Sequence, residues 1–267
     1  MIKKMGAKEM IKVSGKKFQT LSFTRLLPNM ATVMALAVGM SAVRFALTGK
    51  YEFAVMATLV AAFLDAMDGR LARLLGASSD FGAELDSLSD FISFGVSPAI
   101  VMYILTLNVW KGLGWTISLF FAVCMALRLA RFNIYNRSEN PELQLWSKRF
   151  FMGVPAPAAA LIGLLPLILF FATDLDACIS PLSCGFFMVL SGFLMVSRLP
   201  TFSFKTVQVP SRWVGLSLLG VGVFVALLLS DPWSTLGATL FIYLFSIPFS
   251  ILAFKKMVNA KESTHEE

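Results

Sequence analysis

The chain of 267 residues has little of what soluble enzymes commonly use for catalysis: one histidine, three cysteines and only 15% charged residues. The histidine, His265, lies in a charged C-terminal stretch and is expected to be solvated. The cysteines, Cys124, Cys178 and Cys184, show no C-x-x-C spacing and no histidine partner, which argues against a zinc site; a disulfide between the last two stays open. Any chemistry must therefore work without histidine or cysteine.

The scarcity of charge accompanies an excess of apolar residues. The chain is 57% hydrophobic and its mean hydropathy is +0.75, whereas a soluble protein carries about 25% charged residues. Several apolar runs approach the ~20 residues that cross a bilayer as a helix. Backbone groups in lipid must bond within their own segment, and these runs do not alternate as barrel strands do. The sequence therefore predicts an all-α polytopic membrane protein.

Eight transmembrane helices are predicted from the apolar runs and the turn residues between them. Pro28 and Asn29 are expected to begin the first helix, with Asn29 as its cap, and Asp80 is expected to cap the third. Asp231 and Pro232 are expected to form the last turn. The predicted helices cover residues 29–48, 51–74, 82–107, 113–134, 152–172, 177–197, 212–230 and 233–254.

Basic residues are distributed very unevenly between the two ends of these helices. Of the 23 lysines and arginines, only Arg44, Lys50 and Lys111 fall on one side. The positive-inside rule then places both termini in the cytoplasm. The protein is expected to lie in the inner membrane of the cell. The net charge of +7 is thus explained by topology and attraction to anionic membrane lipids, and nucleic-acid binding is not expected.

Six acidic side chains fall within residues 65–90, between stretches as apolar as any in the chain. Asp65 and Asp68 are three residues apart near the cytoplasmic end of the second helix. Asp86 and Asp90 are four apart near the start of the third. Because these spacings place each pair on one helix face, and a short loop makes the helices antiparallel neighbours, the four carboxylates are expected to converge just below the cytoplasmic surface.

Four carboxylates cannot lie together bare: some must be protonated, or cations must lie between them. Oxygen ligands without cysteine or histidine favour Mg²⁺ or Mn²⁺, with Ca²⁺ as a further candidate. Four such ligands can hold two ions that share oxygens, and paired ions of this kind typically serve phosphoryl chemistry. The cluster therefore predicts a divalent-metal site near the cytoplasmic face.

Small and basic residues beside the carboxylates suit a phosphate-bearing ligand. Gly69 and Ala72 are three residues apart and would let a bulky ligand approach the helix backbone. Arg73 lies one turn beyond Gly69 and can pair with a diphosphate oxygen. Gly82, at the start of the third helix, would allow close packing of a ligand or of the second helix.

Together these residues read D-x-x-D-G-x-x-A-R-x8-G-x-x-x-D-x-x-x-D, from Asp65 to Asp90. The pattern resembles, without a departure, the signature of the CDP-alcohol phosphotransferase family. The resemblance implies that the first three aspartates hold divalent ions that clamp the CDP diphosphate. It also implies that Asp90 contributes to metal binding and takes the proton of the acceptor hydroxyl. Asp86 and Asp90 are therefore the expected catalytic residues.

Further segments resemble the phosphatidylserine synthase branch of that family, from about residue 27 to 165. They are LPNMAT (Leu27 to Thr32), DFISFGVSPAI (from Asp90), ALRLARFNIYNR (from Ala126) and FMGVPAPAAA (from Phe151), where Val154 replaces the usual leucine. The resemblance implies that Thr32 faces the nucleotide. The CDP-lipid site is then expected to comprise Asn29, Thr32, Asp65, Asp68, Gly69, Ala72, Arg73 and Gly82.

The resemblance also implies a six-helix core and a homodimer. We divide the chain into a basic segment 1–28, a catalytic core 29–197, two additional helices over 198–254 and a charged tail 255–267. The expected activity is transfer of the phosphatidyl group of CDP-diacylglycerol to L-serine, which releases CMP. Choline, inositol, glycerol phosphate and inositol phosphate are alternative acceptors, and a divalent-ion transporter is a remote alternative.

The sequence gives less information about the acceptor site than about the metal site. Arg128 and Arg131 are three residues apart near the cytoplasmic end of the fourth helix, and Asn133 follows them. Two buried cations beside four carboxylates need anions of their own, and the carboxylate of serine or a lipid phosphate would serve. Alternatively, these arginines mark the cytoplasmic end of the helix or pair with Asp90.

Overall fold

Helices make up almost all of the structure, a computed structural model that describes residues 23–77, 79–137, 150–197, 200–202 and 213–262. Residues 1–22 of the predicted basic segment and 263–267 of the predicted tail lie outside the described residues. The α-helices are α1 Phe23–Leu47, α2 Tyr51–Leu74, α3 Asp80–Asp90, α4 Ser97–Leu105, α5 Gly112–Arg137, α6 Ala156–Gly163, α7 Leu165–Thr173, α8 Pro181–Val196, α9 Val214–Ser230 and α10 Pro232–Glu262.

Shorter elements complete the described fold. A π-helical segment, Phe91–Val96, joins α3 to α4 without a break, and 3₁₀ turns cover Leu107–Trp110 and Asp176–Ile179. Two short strands, β1 Phe150–Met152 and β2 Pro200–Phe202, pair antiparallel. The prediction of an all-α chain missed these strands, which are too short to leave a periodic pattern.

The helices are those of a membrane protein. By length and composition, four stretches of the described residues can cross a membrane: Leu26–Leu47, Asp80–Leu105, Gly112–Ile134 and Pro232–Ser250. A fifth is added if α6 and α7, which meet at a bend of 53°, form one span. Helices α8 and α9 are apolar but shorter than these stretches. Helix α2 contains charged residues of the acidic motif. Each of the eight predicted segments is helical over most of its length.

Two predicted helix ends are wrong. Helix α1 begins at Phe23, and Pro28 lies inside it, so Asn29 is not its cap. Pro28 has no backbone N–H, so α1 lacks one backbone hydrogen bond at this position. Helix α10 continues to Glu262, eight residues beyond the predicted end at 254.

The turns that separate the first three helices are built on glycines with positive φ. Gly49 (φ 72°) follows α1, and the N–H of Lys50 donates to the carbonyl of Phe45. Gly76 (φ 56°) follows α2, and the N–H of Ala77 donates to the carbonyl of Ala72. Both are Schellman ends, which use the left-handed conformation that glycine adopts without strain. They bring α1, α2 and α3 together in sequence order.

Helix α1 is the element against which the next two helices assemble. It packs extensively against α2 and also against the run from α3 to α4, whereas α2 and α3 contact each other less. Gly39, on α1, lies so close to the π segment that an added Cβ would come within 2.9 Å of the Cα of Ser93. The absence of a side chain at this position therefore sets how closely the two helices approach.

We expect Gly39→Ala to destabilise the protein by about 1–3 kcal/mol, because the backbone of the π segment would have to move away. Gly220→Ala is the matched control, since nothing lies within 4 Å of a Cβ at Gly220 and alanine favours a helix by about 1 kcal/mol. Thermal unfolding in the same detergent measures both. Equal melting temperatures for the two variants would contradict this packing.

Candidate active site

The predicted aspartates meet where α2 and α3 face each other across a gap. One carboxylate oxygen from each of Asp65, Asp68 and Asp86 lies within 4.8 Å of the other two. The carboxyl group of Asp65 is also close enough to those of Asp86 and Asp90 to interact with both. The structure thus brings three motif aspartates to one point and places Asp90 beside them, next to Asp65.

Helices α2 and α3 both pack against α1 more than against each other. Ser79 sets the start of α3: it has extended backbone angles, and its hydroxyl accepts the N–H of Gly82 at 3.0 Å. The expectation that Asp80 caps this helix is therefore wrong, and Asp80 is an exposed residue of the first turn. Starting at Asp80, α3 presents Asp86 and Asp90 at successive turns.

Thr32 connects α1 to the acidic cluster. Its hydroxyl lies 2.7 Å from Oδ2 of Asp68, to which it donates, and 3.1 Å from the carbonyl oxygen of Pro28. Both Thr32 and Asp68 are buried, each with 4% of its surface exposed. A hydrogen bond from a buried hydroxyl fixes one carboxylate oxygen and leaves the other directed elsewhere. The bond orients Asp68 within the cluster.

A cavity of about 190 Å³ opens beside the cluster. Gly69 lies on it with nothing within 4 Å of where a Cβ would be, so its backbone is accessible. Gly82 is closed on the other side, because an added Cβ would lie 2.9 Å from Oδ1 of Asn29. The lining residues are Pro28, Asn29, Thr32, Asp68, Gly69, Ala72, Ala77, Ser79, Gly82, Ala83 and Asp86.

Arg73 is the one predicted CDP-lipid residue, apart from Asp65, that does not line this cavity. It is exposed, and its Nε donates to the carbonyl of Gly69 on the same helix at 3.0 Å. The side chain thus lies along α2 at the edge of the cavity. Pro28, Ala77, Ser79 and Ala83 line the cavity but were not predicted, since they contribute shape and carry no charge that a motif search would find.

The basic residues predicted for the acceptor site are engaged with the protein backbone. Nε of Arg128 donates to the carbonyl of Val154 at 2.7 Å. The guanidinium of Arg131 donates to three carbonyls at the end of α8, which belong to Met195, Val196 and Ser197. Arg131 therefore caps the C-terminus of α8, where unpaired carbonyls concentrate negative charge.

Arg128 and Asn133 nonetheless border the acidic cluster. Arg128 is close enough to Asp90 and Asp65 to interact electrostatically with both. Nδ2 of Asn133 donates to the hydroxyl of Ser87 at 3.0 Å, which ties α5 to the helix that carries Asp86. Ser87 was not predicted, and its position next to an aspartate of the motif was the only signal for it.

The donor set fits a hard divalent cation. The cluster offers carboxylate oxygens only, and these are the ligands that Mg²⁺, Mn²⁺ and Ca²⁺ prefer. Oδ1 of Asp90 is buried and has no hydrogen-bond partner in the part of the chain that the structure describes. A buried carboxylate oxygen without a partner is costly unless a proton or a cation satisfies it. Cys178 and Cys184 are free thiols and lie outside this cluster.

Carboxylate clusters that hold paired divalent ions are typical of enzymes that transfer phosphoryl groups. The model of the CDP-alcohol phosphatidyltransferase family matches residues 25–202. The model described as CDP-alcohol phosphatidyltransferase 2 matches residues 212–248. Because the first match covers more than half of the sequence, the chain belongs to the CDP-alcohol phosphatidyltransferase family, as its acidic motif indicated.

Similar curated proteins from several bacteria are named CDP-diacylglycerol–serine O-phosphatidyltransferase. The Mycobacterium bovis protein is 35% identical over 229 residues, which are 85% of this chain and 78% of the relative. The Helicobacter pylori protein is 34% identical over 222 residues, 82% of this chain and 88% of the relative. The Bacillus subtilis protein is 33% identical over 179 residues, 67% of this chain and 91% of the relative.

Proposed function

We propose that this chain moves the phosphatidyl group of CDP-diacylglycerol to L-serine, giving phosphatidylserine and CMP. The observation that carries the proposal is the convergence of Asp65, Asp68 and Asp86 beside a cavity, in a chain of the CDP-alcohol phosphatidyltransferase family. The names of its relatives support serine as the acceptor.

Asp65, Asp68 and Asp86, with Asp90, would hold Mg²⁺ or Mn²⁺, two ions in the fullest case, with Ca²⁺ able to take their place. Bound there, the metal would neutralise the diphosphate of the CDP-lipid and stabilise the charge of departing CMP. Thr32 orients Asp68, and Asn29 and Gly82 close one wall of the cavity. Gly69 and Ala72 leave room at the opposite wall, with Arg73 at its edge.

The transfer needs a base and no covalent nucleophile from the protein. Asp90 takes the proton of the serine hydroxyl while the serine oxygen forms a bond to the β-phosphorus, which bears diacylglycerol. The bond from that phosphorus to the bridging oxygen breaks, and CMP leaves with the electron pair. The described cluster holds no cysteine or histidine, which favours direct displacement. We therefore expect inversion at phosphorus; net retention would show a covalent intermediate.

The topology that fits this reaction has eight spans, with both termini and the active site on the cytoplasmic side of the inner membrane. The uneven distribution of lysine and arginine supports it. CDP-diacylglycerol would enter sideways, with its acyl chains in lipid. The core 29–197 carries the site, and 198–254 adds two helices. We also propose that the enzyme is a homodimer in the membrane, by analogy with its family.

On the acceptor side we place the carboxylate of serine near Arg128, with Arg131 and Asn133 as supporting residues. Arg128 uses Nε for Val154, and its terminal nitrogens would donate to the serine carboxylate. Arg131 and Asn133 hold α8 and α3 in place around it. A guanidinium at this position would bind an anionic group such as a carboxylate.

The two arginines are expected to give different phenotypes. Arg128→Met should raise KM for serine at least tenfold, because a charge-assisted bond contributes about 1.5–3 kcal/mol, with a smaller change in melting temperature. Arg131→Met should mainly lower the melting temperature, because three backbone carbonyls lose their donor. Steady-state kinetics and thermal unfolding distinguish them. If Arg128→Met left KM for serine unchanged, serine would bind elsewhere.

An alcohol panel tests the proposed function. Purified protein is given CDP-diacylglycerol and Mn²⁺ or Mg²⁺, and CMP release is followed with serine, choline, inositol, glycerol phosphate and inositol phosphate in turn. We expect CMP release and phosphatidylserine formation with serine, in equal amounts. Release that does not depend on serine would reject this acceptor, and a preference for another alcohol would assign that one.

A further inference from the structure

A row of buried serines connects the helix that carries Asp86 and Asp90 to α1. The hydroxyl of Ser89 donates to the carbonyl of Thr32 at 3.2 Å. Ser97 donates to the carbonyl of Gly39 at 2.7 Å, and Ser93, between them, lies 3.4 Å from the carbonyl of Ala35. We call Ser89, Ser93 and Ser97 the serine ladder. Its hydroxyls cross to another helix, whereas most hydroxyls of the described helices bond to their own backbone.

The ladder and the acidic cluster share one residue of α1. Thr32 accepts from Ser89 through its carbonyl and donates to Asp68 through its hydroxyl. Asp68 belongs to the carboxylate pair on α2, and Ser89 directly precedes Asp90 on α3. A single residue of α1 thus connects the two helices whose carboxylates must meet. Since α2 and α3 contact each other less than they contact α1, their relative position is set through α1, and Thr32 is the residue of α1 that hydrogen-bonds to both.

The π-helical segment keeps the ladder on one face. Ser89, Ser93 and Ser97 are four residues apart, and in a regular α-helix of 3.6 residues per turn such a series drifts around the axis. The segment Phe91–Val96 has wider turns, in which each bond spans five residues, and so offsets this drift. The segment begins immediately after Asp90. Wide turns of this kind often occur at functional sites because they reorient the neighbouring side chains.

We propose that Ser89 and Ser97, assisted by Ser93, are positioning residues: they set the rotation and height of α3 on α1, and thereby the distance of Asp86 and Asp90 from Asp65 and Asp68. The proposal rests on the proposed function in one respect, that these aspartates bind a divalent cation. The serines do not touch the substrate. Their effect reaches the site through the spacing of the carboxylates, to which metal binding is sensitive.

Ser191 provides a matched control. Its hydroxyl donates across helices, from α8 to the carbonyl of Ala159 on α6, at 2.7 Å. Ser97 makes its bond at the same distance, and both serines are fully buried, at 0% exposure. Ser191→Ala and Ser97→Ala therefore remove equivalent bonds, but only the second lies on the run that carries Asp86 and Asp90.

The test compares Ser89→Ala, Ser97→Ala, the double variant and Ser191→Ala in lipid nanodiscs. Mn²⁺ binding is titrated by electron paramagnetic resonance without substrate, and kcat, KM for serine and melting temperature are measured on the same preparations. Each interhelical hydrogen bond in a membrane makes a modest contribution to how the helices are placed. We expect the double variant to bind Mn²⁺ about tenfold more weakly and to lose about tenfold in kcat, with KM for serine within about twofold of wild type.

Ser191→Ala is expected to lower the melting temperature about as much as Ser97→Ala and to bind Mn²⁺ as wild type does. The ladder would be rejected if the double variant bound Mn²⁺ with wild-type affinity, or if Ser191→Ala weakened binding equally. These results differ from a failure of the proposed function. If wild-type protein bound no Mn²⁺, the metal site itself would be wrong, and the ladder proposal would fall with it.

Discussion

Asp65→Asn is expected to reduce serine-dependent CMP release at least a thousandfold, which corresponds to about 4 kcal/mol of transition-state stabilisation. Asp65 occupies the centre of the cluster: its oxygens lie near those of Asp68 and Asp86, and its carboxyl also reaches Asp90. Asparagine keeps the shape but removes the charge that a divalent ion and a diphosphate require. Initial rates at Mn²⁺ and CDP-diacylglycerol concentrations that saturate the wild type measure the effect.

Asp80→Asn is the control for this variant. Asp80 is an exposed acid in the first turn of α3, within the same stretch of chain and subject to the same chemical change, but outside the cluster. We expect activity within about twofold of wild type, because an exposed charge at a helix start contributes only about 0.3–1 kcal/mol. Similar losses from both variants would mean that net charge near the surface matters, and not the cluster.

Asp90→Asn is expected to reduce turnover by roughly 10²–10⁴-fold, as for loss of a general base. Binding of the CDP-lipid is expected to stay within about threefold of wild type. The reason is the position of Asp90, which lies beside Asp65 and outside the three oxygens that group most closely. Its buried Oδ1 has no protein partner among the described residues and is suited to receive a proton.

Rates of CMP release and equilibrium binding of a fluorescent CDP-lipid separate the two properties of Asp90. Full activity of Asp90→Asn would refute its role as the base. Loss of lipid binding together with turnover would mean that Asp90 acts mainly through the metal that holds the diphosphate, and not as the base. Asp90→Glu is a useful companion, because it keeps the carboxyl but moves it by one methylene group, and intermediate activity is expected from it.

The helices and the convergence of the aspartates could be predicted from the sequence because both depend on local periodicity. Apolar runs long enough to span lipid must be helical, and spacings of three and four residues place side chains on one face. Asp65 with Asp68, and Asp86 with Asp90, needed only that rule and a short turn. Gly76 supplied the turn through its left-handed conformation, which the loop composition already indicated.

Features that depend on contacts between helices could not be predicted in the same way. Pro28 is a strong helix-start signal, yet α1 begins five residues earlier. Ser79 caps α3 although Asp80 is an equally good capping residue type. The π-helical segment after Asp90 has no characteristic amino-acid composition from which it could be predicted. In each case the local sequence offers two acceptable boundaries or no signal at all, and does not record which conformation the chain adopts.

The partner of Arg131 also could not be predicted from the sequence. The sequence identifies a basic residue near the cytoplasmic end of a helix, and serine, a lipid phosphate or a helix end all satisfy that description. In the structure its guanidinium meets the carbonyls that end α8. Those carbonyls come from residues 64 to 66 positions later in the chain, so no local pattern could have chosen between the three partners.

The proposed reaction depends on a divalent cation that the acidic cluster would hold and that would in turn bind the diphosphate of the CDP-lipid. Electron paramagnetic resonance of Mn²⁺ bound to the EDTA-treated protein, with CDP-diacylglycerol carrying oxygen-17 in its diphosphate, tests this directly. We expect the label to broaden the signal of bound Mn²⁺ in wild type, and we expect Asp65→Asn to bind no Mn²⁺. Bound Mn²⁺ whose signal the label leaves unchanged, or CDP-lipid binding that survives EDTA undiminished, would contradict it.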